Sequence, residues 1–127
     1  MVHKDITEYT RQMIMQHFIV EDADANTLYF QYQHFYLQIS FTDRHPLMYF
    51  QFVRDLPFMR GTTAVNKINE LNLKSVLGTH SVNGEKGCYI YRTVHWLESQ
   101  LSPERFTEIL QRCTDEAQRG YTFLYRS

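Results

Sequence analysis

From Leu28 to Val53 bulky apolar side chains take every second position, and the phase of that alternation reverses once, at Gln33-His34. Leu28, Phe30 and Tyr32 alternate with Tyr29, Gln31 and Gln33; beyond His34, Phe35, Leu37, Ile39 and Phe41 alternate with Tyr36, Gln38, Ser40 and Thr42. Successive side chains of a strand point to opposite faces, so one straight strand would set Phe30 against Phe35. A tight turn at Gln33-His34 returns both to one face, although neither residue belongs to the types favoured where a two-residue turn needs positive φ. Turn-forming residues at 42–46 lead into a third run, in which Met48, Phe50 and Phe52 alternate with Tyr49, Gln51 and Val53. The pattern predicts an antiparallel sheet with hydrocarbon on one side and phenol and amide groups on the other. The hydrocarbon side then needs helices to cover it.

Helical periodicity lies before and after this region. Asp5 and Glu8 have the spacing of a capped helix start, with Ile6, Tyr9, Met13 and Phe18 on one stripe and Thr10, Arg11 and Gln12 opposite, which predicts a helix over 5–17. Phe18-Ile19-Val20 reads as a short strand and 22–26 as a turn. A second helix, capped by Thr62 or Thr63, turns Ala64, Val65, Ile68 and Leu71 inward and ends near Lys74. Asn83-Gly84 is a strong hairpin signal between Val76-Leu77-Gly78 and the run from Cys88 to Val94. Ser102-Pro103-Glu104 opens a third helix whose Phe106, Ile109, Leu110, Cys113 and Ala117 form one face, with Gly120 placed to end it. Tyr121, Phe123, Leu124 and Tyr125 beyond it are too apolar for a loose tail, and either extend that packing or dock on a neighbour. The class is α+β, an antiparallel sheet with helices on one face, in the order α, three or four strands, α, two strands, α.

At 127 residues the chain has the length of one domain, 1–127, and 5 Gly with 3 Pro leave little material for a linker. A formal net charge of -1 gives no long-range attraction to nucleic acid or an anionic membrane, and 27–42 contains no Lys or Arg to accompany its aromatic rings. Two cysteines, Cys88 and Cys113, with no signal-peptide stretch at the start and no membrane-length apolar run, predict a cytoplasmic protein. Cys113 falls on the apolar stripe of the third helix and reads as a small core residue.

The helix with Val65-Asn66-Lys67-Ile68-Asn69-Glu70-Leu71-Asn72, then Gly78, the Asn83-Gly84 hairpin and the Ser102-Pro103-Glu104 helix together resemble the YbjN-like family of bacterial sensory transduction regulators, whose fold is similar to that of type III secretion chaperones. The resemblance spans nearly the whole chain as an order of elements. It implies a non-catalytic, chaperone-like or regulatory protein-binding module, often a homodimer, with no cofactor and no catalytic residues.

The residues themselves suggest where a polypeptide partner would bind. Tyr29, Gln31, Tyr36, Gln38, Tyr49 and Gln51 occupy the sheet face left over when the hydrocarbon goes to the helices. Flat side chains with hydrogen-bonding ends are enriched in partner interfaces, so this face can dimerise or hold an extended peptide; Tyr is also at home on a solvated sheet. Asn66, Asn69 and Asn72 line one edge of the second helix at i, i+3, i+6, where amides reach strand-edge or loop backbone, the structural reading, or face a polar cleft. An alternative function is therefore a small-molecule binder or enzyme with a pocket between the second helix and the sheet, near Asn66, Asn69 and His80. Six His show no metal-ligand spacing, and no nucleophile or phosphate-binding motif is present. The acids of 21–24 read as a solvated turn.

Overall fold

The computed structural model describes residues 2–42, 44–57 and 61–127, with side chains from residue 5 onward and again from residue 64. Its elements run α1 (Val2–His17), β1 (Asp22–Ala23), β2 (Thr27–Tyr32), β3 (Phe35–Phe41), β4 (Leu47–Asp55), α2 (Gly61–Lys74), β5 (Thr79–Asn83), β6 (Cys88–Trp96) and α3 (Pro103–Tyr125). The strands form one six-stranded antiparallel sheet in the order β1-β2-β3-β4-β6-β5. The class is the α+β arrangement expected from the periodicity.

The phase reversal marks a hairpin. Phe30 pairs with Leu37, Tyr32 pairs with Phe35, and the two loop residues between them are Gln33 and His34. Gln33 takes φ 55°, and positive φ confined to the first loop residue is the mark of a II′-type turn. Its amide Nε2 donates to Gln111 Oε1 on α3 at 3.0 Å, so Gln33 reaches towards the helical layer rather than joining the opposite face. That tertiary bond helps hold a backbone conformation the residue does not itself favour.

Phe30, Leu37, Ile39, Phe50, Phe52, Tyr89 and Tyr91 are buried beneath the helices with Met13, Ile14, Phe106, Leu110 and Leu124. Each such side chain gains about 1.5–3 kcal/mol from leaving water. Much of the aromatic content goes here. Phe18 meets Phe106 at 5.5 Å edge-on, Phe106 meets Phe50 at 5.9 Å and Phe35 meets Phe52 at 5.7 Å, in the tilted geometries ring quadrupoles prefer.

Several boundaries differ from the sequence expectation. α1 begins at Val2, so Asp5 lies within the first turn rather than capping it. Its buried stripe is rotated: Thr10 is fully buried and Tyr9 exposed. Thr10 Oγ1 donates to the Ile6 carbonyl at 2.9 Å, which satisfies the hydroxyl inside its own helix. No strand forms at 18–20; the first strand is Asp22–Ala23, paired with Tyr29 and Leu28 inside the segment expected to turn. Val65 is exposed, because α2 turns Ala64, Ile68 and Leu71 towards the core instead. Thr62 and Thr63 belong to α2 rather than preceding it, and their side chains, like Asp43 of the 42–46 turn, lie outside the described residues.

β5 starts at Thr79, later than expected, and the β5–β6 loop spans residues 84–87. Asn83 Oδ1 accepts from the Lys86 amide at 3.1 Å, and Gly87 carries the positive φ of 63°. α3 is capped by Ser102, whose side chain accepts from the Arg105 amide at 3.1 Å, with Pro103 at the first turn. It runs past Gly120 to Tyr125, so Tyr121 and Leu124 pack into the core as part of the helix. Cys88 and Cys113 are buried and free. Among the described residues no helix is long and apolar enough to cross a membrane.

Candidate functional site

The sheet face away from the helices is built by register. Tyr29 lies opposite Gln38, Gln31 opposite Tyr36, and Gln38 opposite Gln51, so all of these share one face; Tyr49, two residues from Gln51, joins them. β6 extends the face beyond the residues named from sequence, because Gln51 pairs with Arg92, Tyr49 with Val94, Val53 with Ile90 and Leu47 with Trp96. A row of amides crosses its middle: Gln51 Nε2 donates to Gln38 Oε1 at 3.4 Å, and Arg92 Nε donates to Gln51 Oε1 at 2.7 Å. Apolar groups flank that row, with Tyr36 59% exposed on one side and Val94 and Trp96 53% and 63% exposed on the other. Val94 and Trp96 were legible in principle, since the parity that buries Tyr89 and Tyr91 turns 94 and 96 outward.

A second polar constellation lies under the helices. Glu116 of α3 is only 6% exposed, yet Oε2 accepts from the Val76 amide at 2.9 Å and Oε1 accepts from Leu77 and Gly78 amides at 2.9 Å and from the Tyr91 hydroxyl at 2.5 Å. Burial alone would raise its pKa; the hydrogen bonds from Tyr91, Val76, Gly78 and Leu77 outweigh it and hold the carboxyl down to about 2. Glu116 thus ties the α2–β5 loop to α3 and β6 as a fully engaged anion. Its signal in the sequence was an acid on the stripe Ile109, Cys113, Glu116, Gly120, where an apolar residue belongs.

Beside it, His80 Nδ1 and the Tyr89 hydroxyl are 2.6 Å apart. Burial lowers the His80 pKa against the opposing pull of Glu116, and burial raises both Tyr89 and Tyr91, so imidazole and phenols are neutral at neutral pH. Gly120 makes this pair possible: a Cβ there would sit 2.5 Å from the His80 ring and 2.7 Å from the Tyr89 oxygen. Cys113 Sγ lies 3.7 Å from His95 Nε2, and burial pushes its thiol up to about 11, which leaves it protonated and poorly nucleophilic.

The three asparagines separate. Asn72 Nδ2 donates to the His80 carbonyl at 3.0 Å and its Oδ1 accepts from the His80 amide at 2.8 Å, while Asn66 and Asn69 are exposed. The cleft between α2 and the sheet, lined by Leu71, Lys74, His80, Glu116 and Arg119 among others, holds about 170 Å³. That is below the roughly 300–1,000 Å³ of typical small-molecule sites. Neither Asn66 nor Asn69 lines it. Among the described residues no three His, Cys, Asp or Glu gather as metal ligands would.

No protein-family model and no curated protein matches the chain. Solved structures do. The ExsC–ExsE complex aligns with a TM-score of 0.72 at 9% identity, covering 97% of this chain and 96% of that one. YbjN from E. coli aligns at 0.65 and 9% identity, covering 92% of this chain and 87% of the other. The Yersinia pestis type III secretion chaperone SycH, in complex with a fragment of YscM2, aligns at 0.59 and 8% identity, covering 90% and 98%. The chain therefore has the fold that YbjN shares with type III secretion chaperones.

Proposed function

We propose that the protein is a non-catalytic, chaperone-like or regulatory module that binds a polypeptide partner on its outer sheet face. The observation that carries this reading is the cluster of Tyr29, Gln31, Tyr36, Gln38, Tyr49 and Gln51 with exposed Val94 and Trp96 on a sheet whose other side is filled by helices. Tyr and Trp dominate the energetics of partner surfaces because they bury large area with few rotatable bonds. The amide row supplies hydrogen bonds to an extended backbone. ExsC and SycH, which share the fold, are each seen with a protein partner, which favours the same kind of role. The residues named here, together with the fold, form one working unit in the cytoplasm.

We also propose that homodimerisation, if the outer sheet face holds the partner, uses a different patch. Val65 and Leu73 lie on one stripe of α2, and Leu73 and Val76 are 87% and 85% exposed, with Leu77 beside them. Neighbouring apolar side chains left in water favour a protein contact, which supports placing the homodimer here.

The test of the partner face is a Tyr36→Asp, Tyr49→Asp double variant, both sites being on the outer face and outside the core. The expected result is an unchanged fold by circular dichroism, an unchanged oligomeric state, and loss of the polypeptides that the wild type captures from native lysate. A folded double variant that captures the same set overturns the assignment.

A further inference from the structure

The helical side of the molecule carries a feature that the partner face does not use. A groove of about 600 Å³ between α2 and the C-terminal half of α3 is lined by Lys67, Arg119 and Arg126 around Phe123 and Thr122. A second hollow of about 440 Å³, lined by Arg54, Tyr121 and Tyr125, shares Gln118, Thr122 and Arg126 with the first; these three, spaced i, i+4, i+8, are the ridge of α3 between the two hollows, so Arg54 stands across the helix from Lys67 and Phe123. Among the described residues four cationic side chains line the two hollows together, three of them the first, and no Asp or Glu side chain lines either. In a chain of net charge -1 this is a concentrated local positive field.

Two of the cations lie against aromatic faces. The Arg54 guanidinium lies 4.0 Å from the Tyr121 ring centroid and donates from Nη1 to Gln118 Oε1 at 3.3 Å; Lys67 Nζ lies 5.4 Å from the Phe123 ring. Lys67 is also 4.0 Å from Glu70, an exposed and therefore weak ion pair. Arg126, at the end of α3, answers the negative end of the helix dipole, but Arg54 and Arg119 stand away from that end. Helix capping thus accounts for one of the four charges.

We propose that the first of these hollows, the trough between α2 and α3, binds an acidic segment of a polypeptide, with carboxylates on Lys67, Arg119 and Arg126 and an apolar side chain against Phe123. The proposal rests on the reading of the protein as a polypeptide binder and adds the charge of what it takes. A short acidic segment fits better than a long polyanion. The local field acts within a Debye length of about 8 Å, whereas an extended nucleic acid would also meet the acidic remainder of the surface.

The experiment is fluorescence anisotropy with a labelled peptide of alternating Glu and Phe, its Gln-for-Glu counterpart, and a single-stranded oligonucleotide of similar length. The expected result is saturable binding of the Glu peptide, at least about tenfold weaker binding of the Gln peptide, and weakening with added salt. Arg119→Glu with Arg126→Glu, both exposed positions, should cost at least about tenfold, and Arg119→Gln with Arg126→Gln should cost less. Absence of saturable binding, equal binding of the two peptides, or an unchanged charge-reversal variant overturns the proposal; tighter oligonucleotide binding overturns it too, and transfers the trough to nucleic acid. The Tyr36→Asp, Tyr49→Asp variant should still bind the Glu peptide. Failure of the trough with capture on the outer face intact sinks this inference alone.

Discussion

Glu116 shows what one residue contributes when its surroundings are built for it. A carboxylate removed from water is costly, but three loop amides and the Ser75 and Tyr91 hydroxyls supply nearly all the donors that water had offered. Glu116→Gln keeps the shape and places an NH₂ against those donors, so stability at neutral pH should fall by about 2–3 kcal/mol in urea titration. The pH dependence follows from the same geometry. A carboxyl held at about 2 against an ordinary 4.5 stabilises the fold above pH 4.5, and that contribution is lost as the pH falls from there towards 2. His80 and His95, whose pKa values burial lowers from 6.5, stabilise above that pH and withdraw their contribution as the pH falls below it. Wild type should therefore weaken in two acid windows, and Glu116→Gln should keep the upper one while flattening the lower. A Glu116→Gln variant that declines in parallel with wild type below pH 4.5 would remove the carboxylate from this role.

At the scale of elements, the β5 edge depends on side chains from two helices. Asn72 of α2 pairs with both backbone groups of His80 as a neighbouring strand would, which covers part of an edge otherwise free to recruit another chain. Asn72→Ala should cost about 1–3 kcal/mol in thermal unfolding, with increased light scattering before the transition. Unchanged melting and scattering would show that the edge needs no such cover. α3 approaches β5 at Gly120, where a methyl group would meet the His80 ring. Gly120→Ala gains helix propensity and still should destabilise by about 1–3 kcal/mol, because the ring is fixed by Tyr89 and has nowhere to move. A stabilised Gly120→Ala protein would show that β5 yields easily.

For the whole molecule, the surfaces divide by position: the partner face lies outside the sheet, the basic trough beside α3, and the apolar stripe on α2. Leu73→Asp with Val76→Asp, both in water already, should leave the fold intact and turn the proposed homodimer into a monomer by sedimentation velocity. A wild type that is monomeric at micromolar concentration, or a variant that stays dimeric, would place self-association elsewhere or nowhere. The chain on its own determined the sheet, its hairpin at Gln33-His34 and the sorting of Phe30, Leu37 and Phe50 from Tyr29, Tyr36 and Tyr49. Strand alternation is a local property, and burial of one face selects a single register. Phase along α1 and α2 was less legible, because Thr10 is buried by bonding to its own helix and Val65 is left out by the position of its neighbours. Only the tertiary structure decided that Gly120 continues a helix, that Glu116 is an interior anion and that four cations from distant segments gather along the two flanks of α3. Those outcomes depend on which segments meet across the fold, and separations such as Val76 to Glu116 or Arg54 to Gln118 leave no periodic trace in the sequence.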